Sequence, residues 1–300
     1  MIIEEQAGNL ILSEVEDFNL KQILECGQCF HYKEIAQQEY GLTAFHRLLH
    51  IRQDGDRVIF YDTSREEYDR IWSAYFDMEQ NYGKIKKLLS ESDQQLKGAI
   101  EEMYGVRILK QDFFETLISF IISQNKQIPH IKQIVAQISE EYGDYLGEIN
   151  GEKFYAFPTP EQLSQVTEEQ LRACKTGFRA PYICDAVAKI CDGSITEEMF
   201  RNAAQDQCEE LLTTIKGVGV KVANCVMLFG LGRTEAFPID VWIKRIMESL
   251  YFNGEETDNA KITSYAKEKY GIYGGYAQQY LFYYGKTAGI GVKKKKNKTA

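Results

Sequence analysis

The first hundred residues mix short apolar runs with turn-forming residues, a pattern with β content. Tyr40 to Ile51 is strand-like and rich in aromatic and aliphatic side chains. Asp54-Gly55 signals a hairpin, and Arg57-Val58-Ile59-Phe60-Tyr61 supplies the return strand. Residues 65–78 and 82–90 read as two short helices. From about Val106 the periodicity becomes helical. Asp112 with Glu115 forms an N-terminal cap pair, ahead of an apolar face of Phe113, Leu117, Phe120 and Ile121. Ile131, Ile134, Val135 and Ile138 give a second helical face, Thr159-Pro160-Glu161 reads as a helix start, and Thr167 to Gln170 is a capping box. Further helices are expected near 181–191, 206–214, 220–229, 241–250, 259–268 and 275–285. The pattern predicts an α+β protein. A small antiparallel β-sheet domain with short helices, residues 1–104, packs on a mostly helical domain, residues 105–291. A lysine-rich tail, residues 292–300, follows.

Composition narrows the class only a little. Apolar and charged fractions are ordinary for a globular protein, and 300 residues can bury a sizeable core. No apolar run approaches the ~20 residues of a bilayer-spanning helix. Met1-Ile2-Ile3-Glu4-Glu5 lacks a signal-peptide layout, so a cytoplasmic address is expected, with a monomer as the expected state. The seven cysteines are scattered, which does not suit a disulfide framework. Only Cys26 and Cys29 form a CxxC pair, and no second pair lies near enough to complete a zinc site. A net charge of −9 counts against a nucleic-acid partner, although a local site can still bind DNA on an acidic protein.

The chemistry is concentrated in Leu211-Leu212-Thr213-Thr214-Ile215-Lys216-Gly217-Val218-Gly219-Val220-Lys221. A helix runs into Gly-x-Gly and a second helix starts at once. Two glycines let the backbone turn sharply and approach a ligand, and the next helix adds its positive end, which suits an anion such as phosphate. Gly217 and Gly219 alone would still favour a plain helix–helix turn. No strand precedes them, which excludes a dinucleotide-binding fingerprint. Lys221 by itself is most simply a solvated charge. As a nucleophile it must be a free amine, so burial and neighbouring charge would have to favour loss of its proton. Asp240, in Phe237-Pro238-Ile239-Asp240-Val241, is by itself an ordinary helix cap. The two roles are compatible, because a carboxylate fixed by its own helix is well suited to face a developing positive charge.

Together the hairpin, Lys221 and the Pro-x-Asp lead-in at Asp240 resemble the helix-hairpin-helix (HhH-GPD) DNA glycosylase superfamily. Iron–sulfur members carry four cysteines after the catalytic aspartate. None stands there in this chain, so no Fe–S cluster is expected. The alkyl-purine branch lacks the lysine. The remaining resemblance, over nearly the whole chain, is to the 8-oxoguanine DNA glycosylase/AP lyase family, whose N-terminal signature is similar to Phe18, Leu20, Leu24, Gly27-Gln28-Cys29-Phe30 and Tyr32. It implies that Lys221 attacks the sugar and that Asp240 stabilises the developing cation. Gly27 would offer a backbone carbonyl to the N7–H of the oxidised base. Cys225 would pack against that base, Gln278 would read its Watson–Crick edge and Phe282 would stack on its face. A chance CxxC or a redox pair stays open for Cys26 and Cys29.

The resemblance also implies that Asn125 fills the hole left by the extruded base, with Phe178 wedging at the kink and Arg179, Gly217 and Gly219 on the DNA. His130 stands where better-known members have an arginine, which puts strict cytosine-opposite specificity in doubt. No cofactor is required. A structural K+ or Na+ on the carbonyls of Thr213, Ile215 and Val218 is implied by the resemblance only. The expected partner is duplex DNA containing oxidised guanine. The rival readings are a monofunctional alkyl-purine glycosylase and a non-catalytic DNA-binding module.

Overall fold

The structure is a computed structural model, and it describes residues 1–287 and Gly289. The tail expected at 292–300 lies outside the described residues. Strands β1 (Ile2–Gln6), β2 (Asn9–Ser13), β3 (Tyr32–Ala36), β4 (Glu39–Ala44), β5 (Arg47–Asp54) and β6 (Arg57–Tyr61) form one antiparallel sheet in the order β1-β2-β6-β5-β4-β3. The Asp54-Gly55 hairpin forms as expected, pairing Asp54 with Arg57. The 40–51 stretch is not one strand. It folds back at Phe45 and His46, whose φ of 49° and 57° build a tight turn without glycine. Alternate side chains pack with Phe18, Phe60, Trp72, Tyr75 and Phe76 into a core under the sheet.

Helix starts follow the polar caps that precede them. Asp112 accepts the Glu115 N–H at 2.8 Å, and Thr159 and Thr167 each close a capping box. The helices Phe113–Ser123, Ile128–Tyr142, Ala180–Cys191, Gln205–Thr213, Val220–Phe229, Val241–Tyr251 and Gly274–Thr287 share a second core. Helices Tyr82–Ser92 and Gln94–Glu102 put Tyr82, Ile85, Leu89, Leu96 and Ala99 into that same core. The apolar contacts of residues 82–103 thus belong with the helical body.

One element inside the helical region was not expected. Strands β7 (Tyr145–Ile149) and β8 (Glu152–Tyr155) pair across an Asn150-Gly151 turn with both φ positive. The hairpin lies against the large sheet at Gly41, where a Cβ would sit 2.2 Å from Phe154 Cζ, so only a glycine lets the two surfaces meet. The two cores join along Cys26–Phe30. Cys26 and Phe30 enter the helical core and Cys29 enters the sheet core. Gln28, fully buried, donates to the carbonyls of Ile23 (2.9 Å) and Arg107 (2.7 Å) and accepts the Leu109 N–H (2.9 Å). Among the described residues no helix is long and apolar enough to cross a membrane.

Candidate active site

The Gln205–Thr213 and Val220–Phe229 helices meet at the predicted hairpin. Gly217 has φ +78° and lies under the Tyr182 ring, so close that a Cβ would be 2.2 Å from Tyr182 Cδ2. No L-residue with a side chain fits both demands. Gly219 caps the second helix and faces open space. The first N–H groups of that helix have no helical partners, and no protein atom within 4 Å of Gly219's missing Cβ would keep a phosphate from them. Lys216 is exposed beside the turn, and its N–H donates to Asp185 at 2.7 Å. Burial opposes ionisation of Asp185, but this N–H and the Lys189 ammonium outweigh it and hold the carboxyl below the usual range.

Lys221 is half-buried on the first turn of the second helix. Its Nζ donates to Ser123 Oγ at 3.4 Å and lies 5.2 Å from the centre of the Phe120 ring. Ser123 spends its own proton on the Phe120 carbonyl at 2.7 Å, which leaves its lone pairs to face the amine. Cys225, one turn further along the helix from Lys221, is buried. Burial pushes its thiol up to about 11, against a lowering pull from Lys221 and with a further push from Asp240. The thiol therefore lies within the fields of both catalytic candidates. Asp240 caps the Val241–Tyr251 helix, and one carboxylate oxygen accepts the N–H groups of Trp242 (2.9 Å) and Ile243 (2.8 Å). It is a rigid negative charge, as the sequence required.

The expected base-pocket residues converge from three segments. Gly27 has φ +87°, and its missing Cβ would lie 3.1 Å from Ile128 and 3.3 Å from the Phe282 ring. Phe282 is one turn from Gln278 on the Gly274–Thr287 helix. Gln278 is buried and engaged at both ends, donating to the Pro238 carbonyl at 3.2 Å and accepting from Gln279 at 2.7 Å. One amide N–H and one oxygen lone pair remain for a further partner. A cavity of about 740 Å³ also opens beside Lys221, but it is lined by Asn224, Phe237, Ile239, Thr263 and Lys267 and by none of Gly27, Cys225, Gln278 and Phe282, so it is not the expected base pocket.

The expected DNA-facing residues divide. Asn125 is exposed at φ +53° just past the Phe113–Ser123 helix, and His130 is exposed at the start of the next. Phe178 is 48 % exposed and packs edge-on against Tyr182, the ring that covers Gly217. Arg179, also expected on the DNA, is buried. It is 3 % exposed, and its guanidinium is turned inward to the carbonyls of Thr176 and Gln124. Thr213 is exposed at the end of its helix, while Ile215 and Val218 are buried, with the Ile215 carbonyl accepting the Val218 N–H. Ser123, Ile128 and Tyr182 were not singled out from sequence. Ser123 lies beside the conspicuous Gln124-Asn125 pair, but its reach to Lys221 depends on how two helices pack.

Residues 10–117 match the family model for the N-terminal domain of 8-oxoguanine DNA glycosylase, and residues 118–270 match the HhH-GPD superfamily of base excision DNA repair proteins. A probable N-glycosylase/DNA lyase of Methanothermobacter thermautotrophicus is 32% identical over 76% of this chain and 77% of its own length. An N-glycosylase/DNA lyase of Arabidopsis thaliana is 31% identical over 85% of this chain and 74% of its own. A Clostridium acetobutylicum 8-oxoguanine glycosylase/lyase, solved with double-stranded DNA carrying cytosine opposite the lesion, is 41% identical. It covers 97% of this chain and 99% of its own, with a TM-score of 0.92. Matched in both halves by sequence and along nearly its whole length by structure, the chain belongs to the 8-oxoguanine DNA glycosylase/lyase family of the HhH-GPD superfamily.

Proposed function

We propose that the protein excises 8-oxoguanine from duplex DNA and then nicks the strand, as a bifunctional glycosylase and lyase of base excision repair. The observation that carries this reading is the half-buried Lys221 amine, placed against Ser123 and the Phe120 ring one turn before the buried Cys225, on a helix that begins at the Gly217-Val218-Gly219 turn. The hairpin N–H groups would fix a phosphate of the lesion strand and so set the distance from sugar to amine. The Lys221 nitrogen forms a bond to C1′ as the bond from C1′ to the base nitrogen breaks, and the departing base takes up a proton. The Asp240 carboxylate, held by two backbone N–H groups, stabilises positive charge on the sugar without moving to meet it. Ring opening turns the amine adduct into a Schiff base. Loss of a C2′ proton then expels the 3′ phosphate, which is the nick.

A hard monovalent cation fits the hairpin's donor set. Thr213 ends a helix, where carbonyls lack intrahelical partners, and the Ile215 carbonyl keeps a second lone pair. Carbonyls of Thr213, Ile215 and Val218 would hold it, and it would supply positive charge near the bound phosphate. The protein acts where the DNA is, at the nucleoid or in the nucleus.

Borohydride trapping tests the lysine. Wild type should form a covalent adduct with 8-oxoguanine duplex and Lys221→Gln should form none. Equal trapping by the variant would remove the lysine from this role, and base release without any trapping would favour the monofunctional rival. Running the assay opposite each of the four bases shows what His130 discriminates.

A further inference from the structure

Gln279 follows Gln278 on the Gly274–Thr287 helix and is as deeply buried, at 3 % exposure. Its amide nitrogen donates to Gln278 Oε1 at 2.7 Å, and Gln278 in turn donates to the Pro238 carbonyl at 3.2 Å. The result is a one-way chain of hydrogen bonds that starts from the Gln279 amide. The other end of that amide, Gln279 Oε1, is buried and receives no hydrogen bond among the described residues. A buried acceptor without a donor is unfavourable, so an apolar side chain would serve better if this position only filled space.

Helix geometry places the pair beside the expected base pocket. Phe282 stands four residues after Gln278 and three after Gln279, so the three side chains share one face with the ring as common neighbour. The same ring lies against Gly27, 3.3 Å from where a Cβ would be.

A count of donors and acceptors then decides what the oxygen can do. The Watson–Crick edge of a guanine-type base presents one acceptor, O6, followed by two donors, N1–H and the 2-amino group. Gln278 has one N–H and one lone pair left, which suffice for O6 and N1–H. The 2-amino group would be left without an acceptor. Gln279 Oε1 is the acceptor without a donor, on an amide whose nitrogen already bonds Gln278.

We propose that Gln279 is a specificity-determining residue, accepting a hydrogen bond from the 2-amino group of the extruded base while Gln278 takes O6 and N1–H. The inference rests on the glycosylase reading above, with Gln278 at the base edge. A purine without the 2-amino group leaves the buried oxygen unpaired and is selected against.

The test measures single-turnover base release by wild type, Gln279→Met, Gln279→Ala and Gln278→Ala. The duplexes carry either 8-oxoguanine or 8-oxohypoxanthine, the same base without its 2-amino group, opposite cytosine. The readout is the ratio of the two rates, because comparing ratios between proteins cancels the different pairing strength of the two duplexes. From wild type to either Gln279 variant the ratio should fall about tenfold, through loss on 8-oxoguanine alone. Gln278→Ala should slow release of both bases, since both present O6 and N1–H. An unchanged ratio in the Gln279 variants would overturn the proposal. If both rates fell together with a lowered melting temperature, Gln279 would be reduced to a support for its neighbour. Wild type that releases no 8-oxoguanine would instead sink the glycosylase reading.

Discussion

Burial sets the protonation of Cys225 more than its charged neighbours do. Its thiol is pushed up to about 11 by desolvation, although Lys221 pulls the other way. At neutral pH it is therefore an uncharged, polarizable group one helical turn from Lys221. Linkage follows from the direction of the shift. In the unfolded chain the thiol ionises near its ordinary value, but in the folded protein it keeps its proton until about 11. Its contribution to stability is complete below the unfolded value and disappears as pH rises through the folded one, a change of about 2–3 kcal/mol. Urea unfolding of wild type and Cys225→Ala at about pH 8 and about pH 10.5 isolates this, since the other ionising groups are common to both. The stability gap should shrink at the higher pH, and an unchanged gap would mean that the thiol is not desolvated. At this scale the sequence was readable where a residue type and a motif coincide, as at Lys221 and Asp240. It was unreadable at Arg179, because an arginine after an exposed Phe looks the same in sequence whether it faces DNA or turns inward.

The hairpin poses two glycines one residue apart with opposite constraints. Gly217 is held in the left-handed region beneath Tyr182, whereas Gly219 has an ordinary extended backbone and empty space before it. Gly217→Ala should therefore cost about 2–4 kcal/mol, the sum of a left-handed alanine and a displaced ring. Gly219→Ala should cost no more than about 1 kcal/mol, yet its methyl group would stand before the N–H groups offered to phosphate. Thermal unfolding should thus single out the first variant, while duplex affinity measured on folded protein should fall for the second. Equal affinity of Gly219→Ala and wild type would show that no phosphate sits there. Elements were legible where a cap announces them, as at Asp112, Thr159 and Thr167. The Asn150-Gly151 hairpin carries an equally plain turn signal, set among segments with helical periodicity. The Phe45-His46 turn carries only a weak one, since histidine tolerates positive φ but the bulky Phe45 rarely does, and its ring is packed edge-on against Tyr75.

For the whole molecule, net charge was a poor guide because the proposed DNA site relies on backbone N–H groups, one half-buried lysine and a wedge, none of which needs a basic surface. The antiparallel sheet and helical body followed from periodicity. Their seam did not, because helices 82–102 and the Cys26–Phe30 segment choose their core by three-dimensional proximity. Gln28 sits at that seam, where its amide satisfies Ile23, Arg107 and Leu109 at once, while its own carbonyl accepts from Gln111 at 2.8 Å. Gln28→Leu keeps the volume but strands the buried Leu109 N–H and the Arg107 carbonyl, while the Ile23 carbonyl keeps the Cys26 thiol, for an expected loss of about 2–4 kcal/mol. The loss should also change how the protein unfolds. Trp72 reports from the sheet core and Trp242 from the helix capped by Asp240, and far-ultraviolet dichroism follows the helices. In wild type the fluorescence and dichroism transitions should coincide in urea. In Gln28→Leu they should separate, with base release falling as well, because Gly27 is the adjacent residue and depends on this brace for its place against Phe282. Coincident transitions at unchanged stability would show that the two cores are held together elsewhere.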